Sequence, residues 1–427
     1  ATADSTTRLE IVDKLGLRDA KYFIASFDRP NIRYRVGLKN NAKQQLLEFL
    51  QYEQEDQSGI VYCLSRNKVE EVAQWLCDHG LTALPYHAGL EQETRLKNQR
   101  RFLQEESIII VATIAFGMGI DKPDVRFVAH LDLPRSIEAY YQETGRAGRD
   151  GQKAVAWMVY GLSDLVIQRK MAEESDANEN YKRLVRQKLD ALLGFCETTQ
   201  CRRQVMLNYF GESLPEPCGN CDTCLEPVAT WDGTEAAQKA LSCIYRTGQQ
   251  FGAKYLTDVL LGNTNDRLIN FGHDKLSTYG IGTELTASEW QSVFRQLIAA
   301  DMINVDLSGF GGFRLTEKCR RVLKGKEKMY FRKDPKREKK KRNSKPVAIE
   351  WDDLNQIELW NELRSLRKSI AVKQGVPPYI IFNDNTLREM VDKQPQSLEE
   401  MLHLTGIGET KLNRYGSRFL KVILKAS

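Results

Sequence analysis

The chain has 427 residues, of which 41% are hydrophobic and 28% charged, and its net charge is +5 at pH 7. This composition can build cores, and the length favours three or four domains. No apolar run approaches the roughly 20 residues of a membrane span, and no signal peptide opens the sequence, so we expect no membrane association. Nine cysteines are an odd number, and four of them cluster. That pattern indicates a reducing compartment and a metal site over a disulfide framework.

Three short apolar segments in the first third of the chain have the length and branching of buried parallel strands. They are Gly59–Cys63, Ile108–Ala112 and Arg126–Leu131. A helix opened by Ser65 follows the first of them. Strands that alternate with helices indicate a doubly wound α/β sheet, whose ligands lie beyond the carboxyl ends of the strands.

Residues 140–151 form the most informative stretch, Tyr-Tyr-Gln-Glu-Thr-Gly-Arg-Ala-Gly-Arg-Asp-Gly. The spacing of Arg146 and Arg149 would place both guanidinium groups on one side of a helical turn. Arginine binds phosphate bidentately and stabilises the charge that develops during phosphoryl transfer, so the pair suits a γ-phosphate. The alternative is a surface turn with two solvated arginines. A Gly117-Met-Gly119 loop shortly after the strand 108–112 favours the phosphate interpretation.

These blocks resemble a RecQ-family DNA helicase of superfamily 2. Residues 60–76 are similar to the family's motif IV, 113–123 to motif V and 142–150 to motif VI, and 86–89 match a short phosphate-contacting segment. The resemblance implies an ATP-dependent 3′–5′ DNA helicase that acts in DNA repair, recombination and the SOS response.

The resemblance also assigns roles to individual residues. The arginine finger falls on Arg149, with Arg146 as a second phosphate or coupling contact, although the two could exchange roles. Gln142 completes the catalytic face. Coupling to the nucleotide falls on three residues of motif V: Gly117, Gly119 and Asp121. Predicted DNA contacts are spread over several modules: Ser65, Arg66, His87, Thr113, His273, Lys275, Ser277, Phe310 and Tyr379.

Part of the helicase machinery has no counterpart in this sequence. Neither G-x-x-x-x-G-K-[ST] nor D-E-x-H occurs, so the phosphate cradle and the Mg²⁺-holding acid are missing. We expect residues 1–20 to be the end of motif III and only the second RecA-like lobe to be present. ATP and Mg²⁺ then belong to the complete enzyme, and the isolated chain should not hydrolyse ATP. The rival hypothesis is a non-catalytic module that binds DNA junctions.

The clustered cysteines predict a metal site. Cys201 is followed by sixteen residues and then Cys218-Gly-Asn-Cys221-Asp-Thr-Cys224. Four thiolates at this spacing favour a closed, structural Zn²⁺ site over an iron–sulfur cluster or buried free cysteines. Cys196 is the one nearby rival ligand. The amphipathic segment Lys182–Phe195, with Leu184 on its apolar face, should be the helix that leads to the first ligand.

Residues 235–325 have the pattern of a winged helix. The predicted elements are three helices and two strands: Glu235–Thr247, Tyr255–Leu261, Glu289–Ala299, Ile303–Leu307 and Gly312–Leu315. Phe310 at the hairpin tip could stack on a base. His273 lies in a turn that resembles the family's DNA-facing turn, although a packed or capping histidine is an equal alternative.

A basic segment joins the winged helix to the C-terminal part. Residues 320–345 hold 14 Lys+Arg against three acids, a local charge of +11. Residues 336–345 contain no apolar side chain and predict a flexible linker that contacts DNA phosphates.

Residues 351–427 resemble the helicase-and-RNase-D C-terminal (HRDC) helical bundle. Ser397 and Glu400 predict a capping box. The turn Gly406-Ile407-Gly408 could bind phosphate at a helix start or simply join two helices.

The expected fold class is a multidomain α/β plus α+β protein, built from a RecA-like doubly wound parallel sheet, a zinc-binding helical subdomain, a winged helix and a C-terminal helical bundle. The predicted boundaries are 1–20, 21–165, 166–228, 229–325, 326–350 and 351–427. We expect DNA junctions and single strands as ligands, single-strand-binding protein as a candidate partner, a monomeric state, and a bacterial cytoplasmic, nucleoid-associated location.

Overall fold

The computed structural model describes residues 11–17, 20–21, 23, 25–117, 120–306, 312–334 and 354–426. The chain divides into two compact units. One consists of Arg29–Asp132, Tyr141–Val159 and Lys340–Ser427, and the other of Ala1–Asp28, Leu133–Tyr140 and Tyr160–Lys339. The predicted hairpin tip with Phe310 and the segment 336–345 lie outside the described residues.

A six-stranded sheet forms the centre of the first unit, in the order β1-β6-β5-β2-β4-β3. Strands β2 to β6 pair in parallel, as the alternation of strands and helices predicts. The strand bounds, from β1 to β6, are Ile32–Leu38, Gly59–Tyr62, Ala83–Tyr86, Ile109–Ala112, Phe127–His130 and Ala154–Tyr160.

Helices cover the sheet and build two apolar cores. Alternate residues of β2 enter different cores, with Val61 in one and Ile60 in the other, because successive side chains of a strand point to opposite faces. The helices that follow the strands of this sheet are Ala42–Glu53, Arg66–Asp78, Gln92–Gln104 and Ile137–Thr144.

The register of the sheet brings the ends of four strands together. Tyr62 pairs with Ala112 on one side and His130 on the other, and Tyr86 also pairs with Ala112. The segments that leave these strands therefore start at one carboxyl edge, where doubly wound sheets bind their ligands.

The second unit contains the zinc-binding helices and the winged helix. The predicted helix before Cys201 is present and slightly longer, Glu179–Glu197. Leu184 on it is 45% exposed, so the predicted apolar face begins about one turn later. The remaining helices are Leu162–Glu173, Arg202–Tyr209, Asp222–Leu225, Thr234–Arg246, Ala253–Leu261, Asp266–Asn270, Ala287–Ala299 and Cys319–Leu323.

Two small antiparallel ribbons accompany these helices. Strands β7 (Thr230–Asp232) and β10 (Tyr330–Arg332) form one, and β8 (Ile303–Asp306) and β9 (Gly312–Leu315) form the other. The second ribbon is the predicted wing hairpin, and three predicted helices of the winged helix are found within two residues of their expected bounds.

The C-terminal bundle belongs to the first unit and has its own apolar core, centred on Leu363, Phe382 and Phe419. Ser397 accepts the Glu400 backbone N–H as predicted, but the Glu400 carboxylate accepts from Gln396 N instead of closing a box on Ser397. The helices are Leu354–Gln374, Pro378–Ile381, Asp384–Lys393, Leu398–Leu402, Glu409–Lys411 and Ser417–Ala426. Among the described residues of the whole chain, no helix is both long and apolar enough to span a bilayer.

Candidate functional site

The turn after the helix Ile137–Thr144 carries the two arginines predicted to bind phosphate. Because the helix ends at Thr144, Arg146 and Arg149 lie on an irregular turn, and the prediction that a helical turn aligns them is wrong. Gly148 in this turn has φ +58°, a left-handed conformation that favours glycine. Both arginines nevertheless reach the motif V segment after β4, Arg146 at Gly117 and Arg149 at Asp121.

Each arginine makes a different contact with that segment. Arg146 donates a hydrogen bond to the carbonyl oxygen of Gly117, and a Cβ at position 117 would lie 2.9 Å from Arg146 Nη2. Arg149 Nη1 lies 2.6 Å from Asp121 Oδ1, and their side chains are 37% and 82% exposed. Such an exposed ion pair contributes little stability, so Arg149 can leave Asp121 for a phosphate at small cost.

Two other residues predicted for this face differ in their placement. Gln142 is exposed in the last turn of the helix Ile137–Thr144. Gly119 lies outside the described residues.

Two residues that the sequence did not single out hold the arginine turn in place. Arg29 donates from its guanidinium to the carbonyl oxygens of Gly145 at 3.0 Å and Ala147 at 2.9 Å. Asn31 Nδ2 donates to the carbonyl oxygen of Gly148 at 2.8 Å, and a Cβ at 148 would lie 2.4 Å from that nitrogen. As many as 116 positions separate Arg29 from Gly145, so no local pattern connects them.

Two of the DNA contacts predicted for this lobe lie at the helix start after β2. Ser65 caps the helix Arg66–Asp78 by accepting a hydrogen bond from the Lys68 backbone N–H at 3.3 Å. The exposed Arg66 side chain packs over Gly89, where a Cβ would lie 3.1 Å from Arg66 Cδ. The structure thus brings the motif IV segment next to residues 86–89, which match the phosphate-contacting segment.

The other two predicted contacts of the lobe follow β3 and β4. Thr113 is partly exposed, and its Oγ1 accepts a hydrogen bond from the Ala115 backbone N–H at 3.4 Å. His87 is only 3% exposed, and its Nε2 lies 2.9 Å from Glu70 Oε1. Its imidazole therefore connects the segment after β3 to the helix Arg66–Asp78. Direct DNA contact by His87 stays a prediction.

Asp132 organises the segment before Ser65. Its carboxylate accepts from Lys39 Nζ at 3.1 Å, Lys68 Nζ at 2.6 Å and the Leu64 backbone N–H at 2.9 Å. Burial alone would raise the pKa of Asp132, but the two lysines and the backbone N–H hold it below its usual range. The group keeps two cationic side chains close to the exposed Ser65.

The four predicted ligands form a metal-binding group. Their sulfur atoms all lie within 4.8 Å of one another. Cys221 Sγ is 3.9 Å from Cys201 Sγ and 3.4 Å from Cys224 Sγ, and Cys218 Sγ is 3.9 Å from Cys224 Sγ. Tetrahedral Zn²⁺ with Zn–S bonds of about 2.3 Å places sulfur atoms about 3.8 Å apart, so these residues fit that ion. The metal-binding group of the described residues does not include Cys196.

Neighbouring groups hold the ligand segments in position. Buried Arg202, directly after Cys201, donates from Nε to Asp222 Oδ1 at 2.5 Å. Since Asp222 follows Cys221, this pair joins the two parts of the chain that supply the ligands. The Cys218 backbone N–H also donates to Cys201 Sγ at 3.3 Å, a contact that stabilises a thiolate.

The DNA-facing turn predicted in the winged helix contains an aromatic cluster that the sequence did not single out. His273 Nδ1 lies 2.7 Å from the Tyr255 hydroxyl, and its ring stacks with Phe271 at 5.7 Å between centroids. These are the contacts of a packed histidine, and partial burial lowers the pKa of His273. Direct DNA contact by His273 stays a prediction. Lys275 and Ser277 are exposed beside it, as a DNA-binding surface requires.

The C-terminal bundle contacts the lobe within their shared unit. Arg367, 3% exposed at its side chain, lies 2.8 Å from both Glu106 of the lobe and Asp384 of the bundle. Burial raises the pKa of Tyr379, with smaller contributions from Asp124 and Asp121 of the lobe. Tyr379 is half-buried, and its contact with single strands stays a prediction.

Comparison with known families and proteins agrees with this geometry. Four family models match: the helicase conserved C-terminal domain at 41–151, the RecQ zinc-binding domain at 162–225, the RQC domain at 227–340 and the HRDC domain at 356–423. The chain is 44% identical to the "ATP-dependent DNA helicase RecQ" of Haemophilus influenzae, over 99% of this chain and 68% of that protein. The chain belongs to the RecQ family of ATP-dependent DNA helicases.

Two further RecQ relatives give the same result. The helicase of Pasteurella multocida is 43% identical over 99% of this chain and 66% of its own length, and that of Bacillus subtilis is 36% identical over 99% and 69%. The chain thus spans about two thirds of the length of these RecQ helicases. The four clustered cysteines lie in the zinc-binding domain, and the arginine turn lies at the end of the helicase C-terminal domain.

Proposed function

We propose that this chain supplies the arginine finger and the DNA-binding modules of a 3′–5′ RecQ helicase that acts in DNA repair and recombination. The observation that carries the proposal is that both motif VI arginines contact motif V, Arg146 at Gly117 and Arg149 at Asp121. A loop and turn that contact each other through guanidinium groups form a surface on which a γ-phosphate can replace Asp121 as the partner of Arg149.

The two arginines have different roles in this proposal. Arg146 is half-buried and bound to the backbone of Gly117, so it couples the turn to motif V. Arg149 is exposed and pairs with Asp121, a contact that a phosphate can replace. We therefore assign the finger to Arg149, where its charge offsets the negative charge that builds up on the transferred phosphoryl group.

ATP and Mg²⁺ would be held by groups that this sequence does not contain. A phosphate cradle, a metal-holding acid and a positioned water are needed for phosphoryl transfer, and no Walker-type motif occurs in the 427 residues. The chain on its own should therefore not hydrolyse ATP. Gln142, Gly117 and Asp121 remain the residues through which a bound nucleotide would be sensed.

The accessory modules would bind DNA and hold a structural zinc. Cys201, Cys218, Cys221 and Cys224 would coordinate one Zn²⁺, which supplies folding stability and no reaction step. Exposed Ser65, Arg66, Lys275 and Ser277 would contact the backbone of a single strand or a junction. Thr113, His87, His273, Phe310 and Tyr379 are weaker candidates for the same contacts.

The bacterial relatives support a bacterial setting. We propose action as a monomer in the bacterial cytoplasm, associated with the nucleoid, with single-strand-binding protein as a partner at exposed single strands. Light scattering on a sizing column tests the monomer, and co-purification with that protein, with and without DNA, tests the partner.

The decisive experiment measures ATP hydrolysis in the complete helicase. Arg149→Ala should lower kcat by roughly 10³-fold while ATP and DNA affinities stay unchanged, because the finger acts on transition-state charge. Arg101→Ala is the matched control, since it removes an arginine of the same lobe with the same 37% side-chain exposure, paired with Glu105, and it should leave kcat unchanged. If Arg149→Ala abolished ATP binding but left the turnover of bound ATP intact, the finger assignment would be wrong.

A further inference from the structure

A polar cluster surrounds Arg146 of the arginine turn, and its other members have no role in the mechanism so far. We define the His130 cluster as His130, Glu143, Tyr62 and Arg146. His130 and Tyr62 are the last residues of β5 and β2 and pair in register. His130 Nε2 lies 2.7 Å from Glu143 Oε2, and the imidazole stacks on the Tyr62 ring at 5.2 Å between centroids and 24° between planes.

The cluster is connected to the motif V segment that both arginines contact. The Tyr62 hydroxyl donates to the carbonyl oxygen of Phe116 at 2.8 Å. Arg146 donates to the next carbonyl oxygen, that of Gly117, and it also interacts with the Tyr62 hydroxyl. Two consecutive backbone carbonyl groups of motif V thus accept hydrogen bonds, one from a strand residue and one from a motif VI arginine.

Glu143 is placed to control where Arg146 lies. It occupies the last turn of the helix Ile137–Thr144, and its carbonyl oxygen accepts the Arg146 backbone N–H at 3.3 Å. A carboxylate near a helix C-terminus is disfavoured by the helix dipole, and burial adds a desolvation cost. A hydrogen-bonded partner must offset both costs, and His130 is that partner.

We propose that His130 and Glu143 are positioning residues that fix Arg146, and through it the loop 114–117, for the hydrolysis step. This proposal rests on the proposed function of the motif VI arginines. His130 and Glu143 are only 1% and 8% exposed, so neither touches the nucleotide. They act by keeping the guanidinium and the two carbonyl groups in place before ATP arrives, which removes a reorganisation cost from the reaction.

Two variants and a matched control test the proposal by turnover in the complete helicase. Glu143→Gln and His130→Ala should each lower kcat between about 10- and 100-fold, the range expected from a small misplacement of a catalytic group, with the KM for ATP and the DNA affinity unchanged. His130→Gln keeps a donor near the Nε2 position and should restore part of the loss. Glu138→Gln changes a glutamate of the same helix that pairs with Lys188 at 2.5 Å, and it should leave kcat unchanged.

Hydrogen exchange on the chain as it stands gives an independent readout that needs no ATP. Backbone amides of 114–117 should exchange roughly fivefold faster in Glu143→Gln, as loss of one hydrogen-bonded contact predicts, and at the wild-type rate in Glu138→Gln. Unchanged exchange and unchanged kcat in both cluster variants would overturn the proposal, as would equal effects in the control. If His130→Ala does not fold, Glu143→Gln and His130→Gln still decide. Activity retained by Arg149→Ala would instead refute the proposed function, while the exchange result stands by itself.

Discussion

Glu197 should be one of the most sensitive positions for stability in the second unit. It ends the helix Glu179–Glu197 and pairs with Arg295 of the winged helix, with side-chain exposures of 5% and 7%. Its Oε1 accepts the Tyr160 hydroxyl at 2.7 Å, and its Oε2 lies 3.8 Å from Arg332 Nε. One carboxylate therefore joins the zinc-binding helices to the winged helix.

The loss of stability expected for Glu197→Ala depends on the buried charges that remain. Removing one partner of a buried ion pair costs about 3–5 kcal/mol, because the other charge is left uncompensated. Asp334 still lies 2.9 Å from Arg295, so the lower end of the range, about 3 kcal/mol, is expected. Burial, with Glu197 as the next cause, raises the pKa of Tyr160, so its hydroxyl stays protonated. In the variant it loses its nearer acceptor and keeps the Cys196 carbonyl oxygen at 3.4 Å. For a unit of this size the shift in Tm should be roughly 6–12 °C.

Calorimetry on the chain measures this shift, and an exposed pair provides the control. Glu317 lies 3.3 Å from Arg320, with side chains 84% and 70% exposed, and Glu317→Ala should change stability by no more than about 0.5 kcal/mol. The double variant of Glu197 and Arg295 should be less destabilised than the sum of the single variants. A Glu197→Ala shift as small as that of the control, or additive single effects, would refute the reasoning.

Three other perturbations have defined outcomes. Asp132→Asn should lower Tm at pH 7 and make the decrease of Tm below about pH 4 less steep. The reason is that the pKa of Asp132 is lower in the folded protein than in the unfolded chain. The carboxylate therefore stabilises the fold fully above the unfolded pKa of about 3.9, and this stabilisation is lost as the pH falls through the folded pKa. A parallel pH profile for both proteins would contradict this. Metal analysis should find about one zinc per chain, as a single closed site requires, and Cys221→Ser should lose it and become sensitive to proteolysis around 200–225; a soluble, resistant, zinc-free variant would show that the site is dispensable. Replacing 336–345 by Gly and Ser of equal length should flatten the slope of log DNA affinity against log salt, and an unchanged slope would remove this segment from the interface.

The features that could be predicted from the sequence are those encoded locally. A buried strand such as Ile109–Ala112 is a continuous apolar run, and the ligands Cys218, Cys221 and Cys224 lie within one short segment. The caps at Ser65 and Ser397 are predictable for the same reason, since each serine accepts a backbone N–H only three positions away. The order of these local signals was enough to indicate the family and the zinc site.

The geometry of the arginine turn could not be predicted in this way. Spacing alone suggested a helix through Arg146 and Arg149, but that interpretation ignored the left-handed conformation at Gly148. The turn is held by Arg29 and Asn31, whose donors meet backbone carbonyl groups more than a hundred positions away. Backbone acceptors carry no residue identity, so a motif cannot show which distant side chain will bind them.

The C-terminal bundle shows the same limit on a larger scale. The family resemblance implies a helical bundle here, yet nothing in its sequence distinguishes Arg367 from a solvated arginine. In the fold this guanidinium is buried between Glu106 of the lobe and Asp384 of the bundle. Burial alone would raise the pKa of Asp384, but Arg367 lowers it, so the carboxylate stays charged at the contact. A buried charge needs partners on both sides, and the partner on the lobe becomes visible only when the two modules are seen together.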